Sequence, residues 1–325
     1  MILAGDIGGT KTQLGLFEIE KGAVSVFRKA VFPSQAYSGL DQIIIEFLEN
    51  LGQKITAACF GVAGPVIDGN CTTTNLPWVV NSSKLAALLS LDVVTLLNDL
   101  EAIGYGIPLL EPDQMCVLNE GEQTQGNFGI IAAGTGLGEA SLFWDGERHI
   151  PSASEGGHVD FAPRNEIEIE LLQFMFKKLG RISVERIVSG PGLFSIYEFL
   201  RDSGYGRESK TIAARFAEQD PSSVISTAAL NGECPLSVQA LDLFTTIYGA
   251  TAGNLALTLM ATGGIYIAGG IAPKILEKLQ DGSFMRAFTD KGRFSALVSK
   301  IPVLVILNDE VPLLGAARVA AAMHR

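Results

Sequence analysis

The sequence predicts an α/β protein of two domains, and three observations support this prediction. The 325 residues exceed what one hydrophobic core usually organises, so two domains that share a cleft are expected. The opening stretch "MILAGDIGGTKTQLGLFEI" reads as strand, glycine turn and strand, because apolar residues return at Leu14, Leu16 and Ile19 without a helical period. Residues 128 to 143, "FGIIAAGTGLGEASLF", repeat that layout. This duplication of architecture predicts two halves of similar construction.

Between the two glycine turns, strands alternate with helices. The apolar runs "ITAACFGVAGPV" and "LDVVTLLNDL" are typical of buried strands. The stretches "SGLDQIIIEFLENLG" and "SSKLAALLSL" have the pattern of helices, and Ser82 or Ser83 is expected to cap the second one. The Gly and Pro residues of "GYGIPLLEPDQ" indicate a boundary between the halves.

The later part of the chain contains a long uncharged stretch, from Leu243 to Pro273. Its repeated glycines, including two Gly-Gly pairs, break it into a helix and a short strand, which favours a buried core over a membrane span. Residues 201 to 235 read as helices and loops with no assignable chemistry.

Composition excludes several classes of protein. The net charge is −11, and no Lys/Arg stripe is present, so a nucleic-acid partner is not expected. The basic run Lys177, Lys178 and Arg181 is expected to be a solvated helix face. The four cysteines, which lie far apart and form no zinc-binding pattern, predict reduced thiols and a cytoplasmic location; they are Cys59, Cys71, Cys116 and Cys234. The beginning of the chain has no features of a signal peptide.

The two glycine turns are candidate phosphate-binding loops. Each leads into a strand, which disfavours the Rossmann and P-loop motifs because those require a helix there. Glycine has no Cβ, so such a turn can present backbone N–H groups to phosphate oxygens. Asp6 could hold Mg²⁺ through water, and Thr10 and Lys11 could reach phosphate. Thr135 and Gly136 are the corresponding candidates in the second turn, and a plain hairpin is the alternative for each.

Asn98 and Asp99 end the apolar strand "VVTLL". Side chains at the carboxyl ends of strands in an open α/β sheet project into the ligand crevice. An ionised Asp directly after a buried run is costly unless it is solvated or partnered. Asp99 is therefore a candidate functional carboxylate, and the alternative is a cap for a helix that begins at Leu100.

A set of motifs along the chain resembles the bacterial glucokinases of the actin-like and hexokinase superfamily. The resemblance covers nearly the whole chain. In order, the motifs are "GDIGGTKTQLGLF", "FGVAGPV", "TTTNLPW", "LLNDLEAIGYGI", "AAGTGLGEA", "SEGGHVDFAP", "ERIVSGPGL", "IAGGIAP" and "LLGAA".

The resemblance implies an α/β fold in which two ribonuclease-H-like, actin-like ATPase domains flank a cleft, with ATP on its floor and the sugar deep inside. Residues 1–109 would form the small domain with the first hairpin and the catalytic Asp. Residues 110–312 would form the large domain with the second hairpin, the sugar-binding residues and the adenosine motif. Residues 313–325 would be a helix that packs back on the small domain.

The resemblance also implies a role for particular residues. Asp99 would be the general base, and Asp6 the residue that holds Mg²⁺. The residues implied in glucose binding are Asn75, Asn98, Asp99, Glu155, His158 and Glu185. The residues implied in ATP binding are Gly5, Asp6, Ile7, Gly8, Gly9, Thr10, Lys11, Gly134, Thr135, Gly136, Gly269 and Gly270. From residue pattern alone, His158 also fits a structural histidine, Glu185 a solvated helix charge, and the Gly269–Gly270 pair a simple turn.

The sequence departs from many related sugar kinases in one respect, and this narrows the choice of family. The segment "EGGHVDFAPRNEIEIE" contains no Cys, unlike many related sugar kinases and repressors, and no helix-turn-helix is expected before the first strand. The sequence therefore favours an ATP-dependent glucokinase that uses Mg²⁺ without zinc and makes glucose 6-phosphate. Kinases of fructose, mannose or an N-acetylhexosamine, a non-catalytic sensor and a filament-forming relative are the alternatives. ADP or polyphosphate as donor stays open, and a homodimer is implied by the resemblance only.

Overall fold

The computed structural model describes residues 1–20, 23–73 and 76–323. The chain divides into two compact units. One unit comprises Met1–Glu111, Pro151–Ala153 and Asn308–Arg325, and the other comprises Pro112–Ile150 and Ser154–Leu307. The C-terminal segment thus belongs to the same unit as the N-terminus.

The strands follow the predicted order. They are β1 (Ile2–Ile7), β2 (Lys11–Glu20), β3 (Ala23–Pro33), β4 (Ala57–Val62), β5 (Val66–Ile67), β6 (Asn70–Thr72), β7 (Val79–Asn81), β8 (Thr95–Asn98), β9 (Met115–Asn119), β10 (Phe128–Ala133), β11 (Leu137–Trp144), β12 (His149–Ser154), β13 (Gly264–Ala268) and β14 (Val303–Ile306).

The helices alternate with these strands or follow them. They are α1 (Leu40–Leu48), α2 (Ser82–Leu89), α3 (Asp99–Gly106), α4 (Glu166–Leu179), α5 (Gly190–Asp202), α6 (Lys210–Phe216), α7 (Pro221–Leu230), α8 (Pro235–Leu259), α9 (Leu276–Gln280), α10 (Ser283–Thr289), α11 (Ser295–Val298) and α12 (Val311–Met323).

The two units repeat one sheet topology. In the first, a sheet in the order β3-β2-β1-β4-β8 joins the antiparallel β1–β2 hairpin to the parallel strands β4 and β8. In the second, the order β12-β11-β10-β13-β14-β9 joins the antiparallel β10–β11 hairpin to the parallel strands β13 and β14. The predicted α/β fold with duplicated halves is confirmed.

The helices form where the apolar spacing requires them. In α1 the buried residues recur at Leu40, Ile43, Ile44 and Phe47, which places one apolar stripe against the first sheet. The uncharged stretch is the buried helix α8, followed by β13, as predicted. Among the residues that the structure describes, none of the helices has the length and apolar character needed to span a bilayer.

The predicted cap of α2 is wrong by one position. The N-cap is Asn81, whose Oδ1 accepts a hydrogen bond from the backbone N of Lys84 at 2.8 Å. Ser82 is already the first helical residue, so neither Ser82 nor Ser83 is the cap. Asn81 ends β7 in an extended conformation, and this geometry is the one that an N-cap requires.

Helices α3 and α12 pack closely through glycines. A Cβ on Gly315 would lie 1.8 Å from the carbonyl oxygen of Ala102, and a Cβ on Gly106 would lie 2.2 Å from that of Val311. Neither contact leaves room for a side chain, because the obstacle is backbone. This packing fixes α3 and therefore the position of Asp99 at its first residue.

We predict that Gly315→Ala destabilises the protein by roughly 1–3 kcal/mol, the usual cost of overpacking. Thermal unfolding followed by circular dichroism measures the effect. Gly52→Ala is the matched control, because no heavy atom lies within 4 Å of the added Cβ. Equal melting temperatures for the Gly315 variant and the parent protein would contradict the close packing.

Candidate active site

The first glycine turn joins β1 to β2 and is fixed by a buried serine. The backbone N of Gly8 donates to the carbonyl oxygen of Lys11 at 3.0 Å, and Ser34 Oγ donates to that of Gly8 at 2.8 Å. Thr10 and Lys11 are exposed. The turn is thus rigid at its base and open to solvent at its tip.

Two residues of the predicted nucleotide set lie inside the sheet. Gly5 and Ile7 are buried in β1, and a Cβ on Gly5 would lie 2.6 Å from the Phe60 ring. Their contribution in the structure is close packing behind the turn. Gly8, Gly9 and Thr10 form the turn itself.

Lys11 and the carboxylates of Asp99 and Asp309 lie around Asp6. Lys11 Nζ lies 3.0 Å from Asp309 Oδ2. Burial raises the pKa of Asp6 to about 7, the negative charges of Asp99 and Asp309 add to the increase, and Lys11 opposes it. Negative charge therefore exceeds positive charge at this turn. Carboxylate oxygens are the ligands that Mg²⁺ prefers, usually one or two carboxylates with water.

A divalent cation fits these residues only in a partly hydrated form. In the described ranges, no group of three or more Asp, Glu, His or Cys side chains comes close enough to enclose a metal. Asp6 would accordingly hold Mg²⁺ through water rather than in a protein cage. No motif in the sequence indicated Asp309, because it comes close to Lys11 only when the chain is folded.

Asn98 and Asp99 have different structural roles at the start of α3. Asn98 is the N-cap: its Oδ1 accepts from Leu100 N at 3.0 Å, and its own backbone N donates to Glu101 Oε2 at 3.0 Å. The alternative interpretation of Asp99 as the helix cap is therefore wrong. Asp99 is the first helical residue, is half-buried, and accepts from Leu100 N at 3.0 Å. The spacing from Asn98 to Glu101 is a capping-box signature that sequence reasoning missed.

The second glycine turn, Gly134 to Gly136, joins β10 to β11. Gly134 N donates to Gly136 O at 2.8 Å, and Gly190 N, at the start of α5, donates to Gly134 O at 2.8 Å. Thr135 is exposed at the tip. A hydrogen bond from a residue outside the turn therefore holds it in place, as Ser34 does for the first turn.

The predicted adenosine motif lies against the same strand end. Gly269 has φ +84°, and a Cβ there would lie 2.4 Å from the carbonyl oxygen of Ala133. The backbone N of Ile271 donates to that same oxygen at 3.2 Å. Gly270 is open to solvent, with no atom within 4 Å of an added Cβ. The structure thus brings Gly269 and Gly270 to the second turn.

The three polar residues predicted to bind a sugar form one cluster. Glu185 Oε2 accepts from Leu137 N, directly after the second turn, at 3.0 Å. Glu185 Oε1 lies 3.8 Å from His158 Nδ1, and His158 Nε2 lies 3.7 Å from Glu155 Oε2. The exposed fractions of the side chains are 26% for Glu185, 55% for His158 and 67% for Glu155. The cluster is therefore anchored at Glu185 and accessible at Glu155 and His158.

Residues 155–158, which we call the sugar loop, are held by two further features. A Cβ on Gly157 would lie 1.9 Å from the carbonyl oxygen of Leu137, so only glycine fits. Arg181 Nη2 donates to His158 O at 2.7 Å, and its Nε donates to Asp160 Oδ1 at 2.9 Å. The expectation that Arg181 belongs to a solvated helix face is wrong: it follows the end of α4 and binds the loop.

A buried carboxyl lies behind the sugar loop. Glu139 in β11 is 7% exposed, and a Cβ on Gly156 would lie 2.2 Å from Glu139 Oε2. Burial raises the pKa of this carboxyl to about 7. Sequence reasoning missed Glu139, which sits within the glycine motif at a position where the strand pattern predicts only packing.

Asn75 lies outside the described residues. The cysteines are free thiols, and Cys59, Cys71 and Cys234 are buried.

Comparison with solved structures gives the class of protein. The chain has the fold of actin-like sugar kinases: it matches a glucokinase from an Antarctic psychrotroph with a TM-score of 0.86 and 29% identity, over 99% of this chain and 98% of that one. A ROK family glucokinase from Streptomyces griseus, solved with glucose and AMPPNP, shares the fold with a TM-score of 0.63 and 21% identity, over 99% of both chains.

The sequence comparisons give the family. The glucokinase family model matches residues 3–323. A glucokinase of Nostoc sp. is 44% identical over 99% of this chain and 99% of its own length. The chain belongs to the glucokinase family.

We predict that Glu139→Gln stabilises the protein increasingly as pH rises from about 5 to about 8. The unfolded carboxyl releases its proton near pH 4.5 and the folded one near pH 7. Between these values the unfolded state binds fewer protons, so the stability of the parent protein falls as pH rises. The glutamine variant does not titrate and avoids this loss.

Melting temperatures of both proteins across this pH range test the prediction. Glu147→Gln, in the exposed turn before β12, is the matched control. A difference between the Glu139 variant and the parent that is independent of pH would contradict the assigned titration.

Proposed function

We propose that this protein is an ATP-dependent glucokinase, which transfers the γ-phosphoryl group of ATP to the 6-hydroxyl of D-glucose and releases glucose 6-phosphate and ADP. The observation that carries the proposal is the position of Glu185. Its carboxylate accepts from Leu137 at the second glycine turn and also lies beside His158. A candidate phosphate turn and side chains suited to a polyol are thus joined. Similarity along the full length to the Nostoc glucokinase supports the same reaction.

We assign glucose binding to residues that offer both donors and acceptors, because each sugar hydroxyl can do both. Glu155 and Glu185 accept, and His158 can donate or accept. Asn98 already donates from Nδ2 to Gly64 O at 3.1 Å, which leaves one further donor at Nδ2, whereas its Oδ1 accepts from the backbone at the start of α3. Asn75, outside the described residues, completes the proposed set.

We assign the general base to Asp99. As the 6-hydroxyl oxygen attacks the γ-phosphorus, its proton passes to the Asp99 carboxylate, and the bond to the β–γ bridging oxygen breaks so that ADP leaves. Asp99 is the first residue of α3, and its Oδ1 accepts from Leu100 N at 3.0 Å, which fixes the carboxyl group at the end of β8.

We assign nucleotide binding to the two glycine turns. Gly8 to Lys11 and Gly134 to Gly136 present backbone N–H groups to phosphate, and Gly269 and Gly270 allow the adenosine to approach the backbone. Lys11 exchanges its contact with Asp309 for a phosphate oxygen. Asp6 would hold Mg²⁺ through water, and the ion would supply positive charge to the transferred phosphoryl group. The AMPPNP and glucose in the Streptomyces griseus structure support this choice of donor and acceptor.

We also propose that the enzyme works without zinc, in the cytoplasm, and as a homodimer, on the family resemblance. The net charge of −11 supports the absence of a nucleic-acid partner. The proposed domains remain residues 1–109, residues 110–312 and the helix 313–325.

A coupled assay of four sugars tests the proposed function. We expect glucose to be preferred over fructose, mannose and N-acetylglucosamine, because each buried polar group left unpaired by a wrong sugar costs about 1–3 kcal/mol. ATP should serve as donor, and excess chelator should stop turnover until Mg²⁺ is restored. Preference for another sugar, or full activity in chelator, would contradict the proposal.

We predict that Asp99→Asn lowers turnover by roughly 10²–10⁴, the range for loss of a positioned general base. The amide retains the shape of the side chain, so glucose binding measured by calorimetry should persist. Asp92→Asn, at an exposed position in the same unit, is the matched control. A folded Asp99 variant with turnover within a few-fold of the parent would show that Asp99 is not the general base.

A further inference from the structure

The second unit contains a cavity of about 280 Å³ behind the sugar loop, which we call the rear cavity. Its wall from α8 is largely apolar, with Ile247, Leu255 and Leu259. Glu139 contributes a carboxyl to the lining, and Gly156 of the sugar loop contributes backbone. The cavity therefore borders the candidate sugar-binding residues from the protein side.

The carboxyl of Glu139 has no hydrogen-bond or ion-pair partner among the residues that the structure describes. Another carboxylate of the same cavity, that of Glu168, is fully matched: it accepts from Arg164 Nη2 at 2.6 Å, Arg164 N at 2.8 Å and Asn165 Nδ2 at 3.1 Å. A buried carboxylate without partners is costly, whereas its protonated form costs far less. The surroundings of Glu139 therefore favour the neutral acid.

Glu139 contacts the sugar loop at a glycine. A Cβ on Gly156 would lie 2.2 Å from Glu139 Oε2, so the carboxyl occupies the space that any other residue would need. The backbone N of Gly156 donates to Ser154 Oγ at 2.9 Å, which gives the loop a second point of attachment. Glu155 and His158 flank this contact in the chain. The position of the carboxyl thus determines where the loop can lie.

We propose that Glu139 is a positioning residue for sugar binding: its buried carboxyl supports Gly156 from behind and so sets the places of Glu155 and His158. The inference rests on the proposed role of the sugar loop in binding glucose. Glu139 itself does not touch the sugar and acts through the loop.

The support depends on the protonation of Glu139. Burial raises the pKa of this carboxyl to about 7, so it changes charge close to neutral pH. An ionised Glu139 draws water into the rear cavity and displaces Gly156, because none of the described donors is hydrogen-bonded to this carboxyl and a buried carboxylate needs such partners. The titratable or charged groups around the cavity are Tyr248 from α8, Asp160, Arg164 and Glu168 from its wall, and Lys291, whose Nζ donates to the lining residue Asn254 at 2.8 Å. Glu155, His158 and Glu185 belong to the neighbouring candidate sugar site.

The experiment measures kcat and KM for glucose from about pH 6 to about pH 8.5, on either side of the Glu139 titration. Four full-length proteins are compared: the parent, Glu139→Gln, Glu139→Ala and the exposed control Glu147→Gln. Glutamine keeps the shape and the neutral charge of the protonated acid, whereas alanine removes the support. The candidate sugar-binding residues are the same in all four proteins, so differences between the proteins report on Glu139.

We expect KM to rise with pH in the parent, and this rise should be roughly 3- to 10-fold larger than in Glu139→Gln. A rise of this size corresponds to a change of about half to one unit in the pKa of Glu139 when sugar binds. Glu139→Ala should have a raised KM at every pH, with kcat within about 2-fold of the parent, because the reacting atoms are untouched. Glu147→Gln should follow the parent.

Identical pH profiles for the parent and Glu139→Gln, or normal glucose affinity in Glu139→Ala, would overturn the proposal. Circular dichroism at each pH confirms that the variants are folded. If the sugar panel identifies another hexose, KM is measured for that hexose. A wrong choice of sugar is thereby distinguished from a wrong role for Glu139. A parent protein that binds none of the sugars overturns both proposals.

Discussion

The hydrogen bond from the backbone of Leu137 to Glu185 is the contact on which the site of the second unit depends. It joins the residue after the second glycine turn to a carboxylate that lies beside His158. Glycine at position 136 leaves room for this carboxylate, because a Cβ there would lie 2.5 Å from Glu185 Oε2 and would displace it. One half-buried carboxylate thus links the shape of the phosphate turn to the position of the polar cluster.

The first unit fixes its glycine turn in a different way. Ser34, a fully buried residue that follows β3, holds the turn from behind by donating to the carbonyl oxygen of Gly8. Lys11 and the carboxylates of Asp99 and Asp309 lie around Asp6, where negative charge is in excess. Two hairpins of the same topology are therefore adapted differently: one is surrounded by charge that favours a cation, and the other is attached to side chains that favour hydroxyl groups.

The strands, the two hairpins and the buried helix α8 could be predicted, because apolar periodicity and glycine placement are local signals. Contacts between distant segments could not be predicted from such local signals. Ser34 and Asp309 lie outside the motifs, Glu139 lies in one at a position that predicts only packing, and only the folded chain brings each to its partner. The helix caps were also difficult to predict from the sequence. Asn81 and Asn98 each end a strand and also cap the following helix, so a prediction that gives each residue one type of secondary structure misses them.

The most direct test of this account is the affinity of Mg²⁺–AMPPNP for the Glu185→Ala variant, measured calorimetrically without sugar. The variant leaves the backbone N of Leu137 without its acceptor, which releases the second glycine turn. We predict that nucleotide affinity falls by roughly 3- to 30-fold, equivalent to one lost charge-assisted hydrogen bond in an exposed setting. Unchanged nucleotide affinity together with weakened glucose binding would show that Glu185 serves the sugar alone, and would contradict the link between the two parts of the site.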